Sequence, residues 1–188
     1  QLPLQGSHNA LNYLAVLALG KSAGWDLNAM LASLMAFKGL AHRCEVIESH
    51  DGIRWINDSK ATNVGATLAA IEGLSPTLKG NKLILIAGGD GKGADFSPLS
   101  QVLTQQVDYL ITLGKDGRAI ASLRLSQQAE TTSHVDSLPA AVELARTQAN
   151  VGDMVLLSPA CASLDMFANY VERGVVFIKS VLMQKGGS

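Results

Sequence analysis

Asp58, Ser59, Lys60 and Thr62 stand together where an apolar run, Ile53 to Ile56, gives way to polar and small residues. A helical pattern begins near Asn63 and runs to Gly73. A carboxylate, an ammonium and two hydroxyls therefore fall between a strand end and a helix start. The first N–H groups of a helix lack intrahelical partners and lie at the positive end of its dipole, which suits anions. Taken alone, the stretch better fits a simpler role in which Ser59, Thr62 or Asn63 caps the helix. A second stretch, Gly88 to Asp95, is glycine-rich and carries one cation, Lys92. It is not a phosphate-binding P-loop, which needs Gly, four residues, then Gly-Lys-Ser/Thr, and it does not fit the dinucleotide fingerprint. Lys92 is left as a carboxylate or phosphate ligand, or as a solvated loop lysine. A third stretch, Ser158 to Ser163, leads from a buried run into a helix. Its small residues let backbone N–H groups approach an anion, and Ser163 adds a hydroxyl. Neither Ser163 nor Cys161 sits in a nucleophile elbow, and no neighbouring histidine is placed as a base.

These stretches need a scaffold that brings them together. From Lys82 onward, short apolar runs alternate with helical patterns: strands at Leu83 to Ala87, Tyr109 to Leu113, Glu130 to Ser133 and Met154 to Leu157. Between and after them come helices at Pro98 to Gln105, Asp116 to Leu123, Ser137 to Ala149 and Asp165 to Met183. That alternation predicts an α/β fold, a mostly parallel sheet with helices on both faces. Ahead of it, Cys44 to Glu48 and Ile53 to Asn57 flank Asp51-Gly52 and predict a β-hairpin. In open α/β sheets, ligands bind outside the carboxyl ends of the strands. All the stretches above leave such ends, as does Gly114 to Gly117.

Residues 1 to 41 read as two helices. The first is capped by Ser7 or Asn9, with Leu11, Leu14, Ala15, Ala18 and Leu19 on its apolar face, and Gly24 closes it. The second is capped by Asp26, with Met30, Leu31, Leu34 and Met35 inward and Gly39 following. Two helices cannot bury both their faces alone. The pattern turns extended after Leu40, and a boundary is set between residues 1–41 and 42–188. Arg43 stands at that hinge, as a salt-bridge partner or as a ligand for phosphate or a planar ring.

A net charge of −1 gives no broad footprint for nucleic acid or anionic lipid, and no apolar run reaches membrane-span length. No signal peptide is recognisable. Cys44 and Cys161 are far apart, and His8, His42, His50 and His134 are scattered, so no disulfide framework or metal pattern is expected. A reducing cytoplasm fits best.

Asn57-Asp58-Ser59-Lys60-Ala61-Thr62-Asn63, Gly88-Gly89-Asp90-Gly91-Lys92 and Ser158-Pro159-Ala160-Cys161-Ala162-Ser163-Leu164-Asp165 resemble the C-terminal half of the Mur ligases. The Ser-Lys-Ala-Thr-Asn and Ser-Pro-Ala-Cys-Ala-Ser continuations are similar to the members that add D-glutamate. Gly6 to Asn12 and Ala41-His42-Arg43 fit as well. The resemblance implies a Rossmann-like domain at 42–188, preceded at 1–41 by a helical remnant of a central ATPase domain. It implies an ATP-dependent ligase of peptidoglycan synthesis that joins D-glutamate to UDP-N-acetylmuramoyl-L-alanine through an acyl phosphate and releases ADP. Mg²⁺ is expected with the ATP, its ligands lying outside this chain, and a monomer is expected. By position, Asn12, Arg43 and Asp58 border ATP, Asp58 at the ribose. Lys60 lies at the transferring phosphate and the acceptor. Thr62, Lys92, Ser163 and the Leu164 backbone hold the D-glutamate carboxylates. Tyr170 stands where the family commonly has Phe. The P-loop and the uridine-nucleotide domain are not in this sequence, so the chain reads as a fragment, inactive alone. The competing reading is a self-standing α/β module that binds a small anion or nucleotide; a structural domain is a third.

Overall fold

The computed structural model describes residues 7–37 and 39–183. The chain divides into two compact units, Gln1–Leu40 and Ala41–Ser188. The first holds α1 (Ser7–Ser22) and α2 (Leu27–Ala36). Asp26 caps α2 by accepting the Ala29 N–H at 2.8 Å. Asn9 lies inside α1 and so is not its cap. The Ser7 side chain, the other candidate, lies outside the described residues, as do Gly6 and the tail 184–188. Met30 and Leu34 are buried, as their spacing predicts, but Leu31 and Met35 of the same expected face are exposed. Leu11, Leu14 and Leu19 are not: they are 67%, 63% and 70% exposed, while Tyr13 is inward. Apolar residues run nearly all round α1, and one neighbouring helix can cover only one side of it.

The second unit contains β1 (Glu45–Ile47), β2 (Arg54–Asn57), α3 (Val64–Leu74), β3 (Leu83–Gly88), α4 (Ser100–Gln105) and β4 (Tyr109–Leu113). It continues with α5 (Gly117–Ala121), β5 (Thr132–His134), α6 (Leu138–Gln148), β6 (Met154–Leu157) and α7 (Tyr170–Leu182). The six strands form one sheet in the order β1-β2-β6-β3-β4-β5. Only the β1–β2 hairpin is antiparallel. The mostly parallel sheet expected from the alternating pattern is thus borne out.

Strand alternation divides the core into two layers. Leu83, Leu85 and Ala87 of β3 face α3, α4 and α5 with Ile71, Leu103 and Ile120. Ile84 and Ile86 face the other way, toward α6 and α7, with Val142 and Phe177. Both faces being covered explains why β3 and β6 read as unbroken apolar runs.

Some boundaries differ from the expected ones. Ser126–Thr131 winds as a 3₁₀ helix, so β5 starts at Thr132 rather than Glu130. Helix α7 starts at Tyr170, not Asp165. Met166 and Phe167 turn back onto the Ser163 carbonyl, and Asn169 then caps α7 through the Glu172 N–H at 2.9 Å. The hairpin loop is organised by Asp51, whose carboxylate accepts from Ser49, Ile53 and Trp55 and pairs with Arg146.

Candidate functional site

Parallel pairing aligns the strand ends. Asn57 pairs with Leu157, Ile86 with Leu157, and Gly88 with Leu113. The loops after β2, β3, β4 and β6 therefore leave the sheet at one rim, where they are tied to each other directly. The Asp58 N–H donates to the Leu157 carbonyl at 2.8 Å, and the Gly88 N–H to that of Pro159 at 2.9 Å. Asp90 and Ala162 exchange backbone bonds at 3.0 and 2.9 Å. Lys92 is two residues from that bridge and Ser163 is one. Asp116 accepts the Gly91 N–H at 2.7 Å, and Asp165 accepts the Lys115 N–H at 2.9 Å.

Gly88 and Gly89 make this closeness possible. Both have φ near the mirror-β region, 126° and 127°. A Cβ on Gly88 would run into the Leu113 carbonyl, and one on Gly89 into that of Ala162. Glycine is needed here for backbone approach, not to cradle a phosphate in the P-loop manner.

Asp58 is buried. Its Oδ1 accepts the Cys44 N–H at 3.2 Å and its Oδ2 the Ser158 hydroxyl at 2.9 Å. Desolvation raises its pKa to about 6, against these hydrogen bonds and the Arg43 charge, which lower it. Ser158 also lies 3.1 Å from the Thr67 hydroxyl. Arg43 is exposed in a tight turn where His42 and Cys44 take positive φ, 62° and 45°. That turn is held by the Lys60 N–H on the His42 carbonyl at 3.0 Å and by Asn57, whose amide nitrogen lies 2.9 Å from His42 Nδ1.

Lys60 Nζ lies 3.9 Å from the centre of the Tyr170 ring, a cation–π geometry. Lys92 is exposed on its loop, with its N–H on the Asp90 carboxylate at 3.0 Å. Lys115 Nζ pairs with the same carboxylate oxygen at 3.1 Å. The Lys92 N–H and then Lys115 hold the Asp90 pKa below the usual carboxylate range. Ser163 is buried at 4% exposure, Thr62 is half-buried and Leu164 is exposed. Among the described residues the Lys60 and Lys92 ammoniums and the Thr62 and Ser163 hydroxyls make no hydrogen bond. Asn12 lies on α1, in the first unit, with its side chain exposed.

Residue-by-residue reading of the sequence missed Arg173. It is 3% exposed and clamps two rim loops together. Its Nε donates to Ser59 Oγ at 3.0 Å, and its Nη2 to the Ser59 and Cys161 carbonyls at 2.9 and 3.1 Å. Ser59 Oγ in turn donates to the Tyr170 carbonyl at 2.8 Å. Burial pulls the guanidinium pKa down to about 10. A signal was available: Arg173, Phe177 and Val181 recur every fourth residue, which puts a charge on the buried stripe of α7. Cys161, against the same clamp, is a buried thiol pushed up to about 12 by desolvation, the opposite of an activated nucleophile.

An edge presenting two ammoniums and two hydroxyls without hydrogen-bond partners among the described residues can hold carboxylates or phosphoryl oxygens. Arg43 and the Asp58 carboxylate beside it offer a guanidinium for phosphates and an acceptor for hydroxyls. Among the described residues no group of three or more His, Cys, Asp or Glu side chains could hold a metal ion, so Mg²⁺ is assigned no ligand here. Among them, too, no helix is long and apolar enough to cross a membrane.

The family model described as "Mur ligase, glutamate ligase domain" matches residues 42–161, and the chain belongs to that family. The expectation raised by the three loop motifs is thereby borne out. A UDP-N-acetylmuramoylalanine–D-glutamate ligase of Colwellia psychrerythraea is 65% identical over 182 residues, covering 96% of this chain and 38% of the relative. A protein of the same name from Pseudomonas savastanoi pv. phaseolicola is 54% identical over 181 residues, covering 96% and 40%. The chain thus spans about two fifths of the length of these relatives. Among solved structures, a UDP-N-acetylmuramate-alanine ligase from Thermotoga maritima superposes with a TM-score of 0.70 at 22% identity, covering 95% of this chain and 38% of that one. A Mycobacterium tuberculosis folylpolyglutamate synthase, solved with ADP and AMPPCP, gives 0.69 at 18%, covering 94% and 41%. At such identities these likenesses concern the fold.

Proposed function

We propose that this chain is the acceptor-amino-acid part of a cytoplasmic, monomeric ligase that joins D-glutamate to UDP-N-acetylmuramoyl-L-alanine in peptidoglycan synthesis. ATP supplies the phosphoryl group that turns the substrate's terminal carboxylate into an acyl phosphate, with ADP released. The D-glutamate nitrogen then bonds to the carbonyl carbon. The tetrahedral intermediate loses inorganic phosphate by C–O cleavage, and the nitrogen loses a proton, leaving the amide. Negative charge gathers on phosphoryl and carbonyl oxygens, so fixed cations and N–H donors govern the barrier.

Lys60 faces the transferring phosphate. Thr62, Lys92, Ser163 and the Leu164 N–H hold the carboxylates of D-glutamate, and the Tyr170 ring sets the height of the Lys60 ammonium. Arg43 meets the ATP phosphates, Asp58 the ribose and Asn12 the base. Residues 1–41 are the last helices of an ATPase domain, and 42–188 the acceptor domain. The observation carrying this reading is that these donors, without hydrogen bonds among the described residues, sit on loops bonded to one another at one sheet rim, in a chain 65% identical to a relative named as this ligase.

The test joins this chain to the preceding segment of the Colwellia relative. The hybrid is expected to release phosphate from ATP only with both substrates present, and the unjoined chain not at all. Lys92→Ala in the hybrid is expected to raise KM for D-glutamate by about tenfold or more, the loss of one charge-assisted hydrogen bond. An unchanged KM, or steady phosphate release by the chain alone, overturns the proposal.

A further inference from the structure

At the edge of the sheet, a groove of about 480 Å³ lies between α5, the 3₁₀ segment and edge strand β5. Its chemistry comes from Arg118, Arg124, Ser126 and His134. Neither guanidinium forms an ion pair among the described residues. Asp108 offers an opposing charge to Arg124, and Asp136 one to His134.

Arg124 is 9% exposed. Its Nη1 donates to the Val107 carbonyl at 2.9 Å and its Nη2 to Thr131 Oγ1 at 3.1 Å. Its Nε is itself fully buried and has no hydrogen-bond partner among the described residues. A buried N–H left unmade is costly, and a buried cation with no carboxylate at salt-bridge distance more so. Desolvation accordingly lowers the Arg124 pKa. His134 spends Nδ1 on the Thr112 hydroxyl at 3.0 Å, leaving the far side of its ring for the groove. Desolvation, then the Arg118 charge, pushes its pKa down. These are the features of a positive, partly dehydrated site.

We propose that this groove binds a phosphate-class oxyanion, held by the Arg118 fork, the Ser126 hydroxyl and His134, with Arg124 supplying charge from behind. Planar guanidinium forks match tetrahedral oxyanions through paired N–H donors. The site is open, so binding is weak, on the order of millimolar. It does not depend on the ligase reading, because none of these residues lies among the rim donors.

Titration of the ¹⁵N-labelled chain with inorganic phosphate, at ionic strength fixed with sodium chloride, tests it. Saturable shifts are expected at Ser126, at His134 and at the Arg124 Nε–H, together with a rise in the His134 pKa. Arg118→Gln, at an exposed position of α5, is expected to weaken binding about fivefold or more and to abolish the His134 rise. Shifts confined to Lys60, Lys92 and Ser163, shifts that never saturate, or unchanged binding by Arg118→Gln overturn the proposal.

Discussion

Burial raises the Asp58 pKa to about 6 although the Cys44 N–H and the Ser158 hydroxyl both donate to its carboxylate. In the unfolded chain an aspartate titrates near 3.9. Between about pH 4 and about pH 6 the native state therefore holds a proton that the unfolded state has lost. Stability falls as pH rises through that window, and the cost of the buried charge is fully present above it. Asp58→Asn, which keeps an acceptor for Cys44, is expected to stabilise the chain at pH 7.5 by on the order of 2 kcal/mol. Urea unfolding at pH 7.5 and at pH 5 checks this: the advantage of the variant should shrink at the lower pH. An equal difference at both values means that Asp58 is not a buried charge. Its place at a strand end was legible in the sequence. Its burial was not, because that depends on Cys44 and Ser158 arriving from other loops.

At the scale of elements, α7 is the rim's brace. Arg173 links the loop after β2 to the loop after β6, and Gly174 leaves room for the His42 ring, against which a Cβ would collide. Arg173→Met removes a desolvated cation but leaves the Ser59 and Cys161 carbonyls without their donor. The net cost is expected to be about 1–2 kcal/mol. Amide exchange should then speed up at 58–62 and 158–163 while β3 and β4 keep their protection, since local openings follow local contacts. Uniform acceleration across the sheet would mean that Arg173 supports the fold as a whole rather than the rim. Strands β3 and β6 were readable from unbroken apolar runs because burial on both faces leaves that mark. The start of α7 was not: the turn onto Ser163 and the Asn169 cap outcompete helical propensity from Asp165 to Ala168.

For the whole molecule, the apolar surface of α1 matters most. Leu14 and Leu19 are largely exposed, with Trp25 and Leu27 also outward on the first unit. Such surface is a docking face or an aggregation liability. Leu14→Glu is expected to change unfolding free energy by less than about 0.5 kcal/mol, as for other exposed positions, and to reduce self-association at high concentration. Sedimentation and urea unfolding of parent and variant check both effects; a loss of several kcal/mol would place Leu14 in a core.

Local patterns in the sequence were sufficient for the α/β class, the strand runs other than β5, the Asp26 cap, and the loops carrying Lys60, Lys92 and Ser163. Each of these follows from neighbours along the chain. Only the tertiary structure decided that Asp58 is dehydrated, that Arg173 clamps the rim, and that Arg118, Arg124 and His134 share a groove. Those outcomes arise from residues far apart in sequence, whose burial and hydrogen bonds exist only once the parallel strands have brought their ends together.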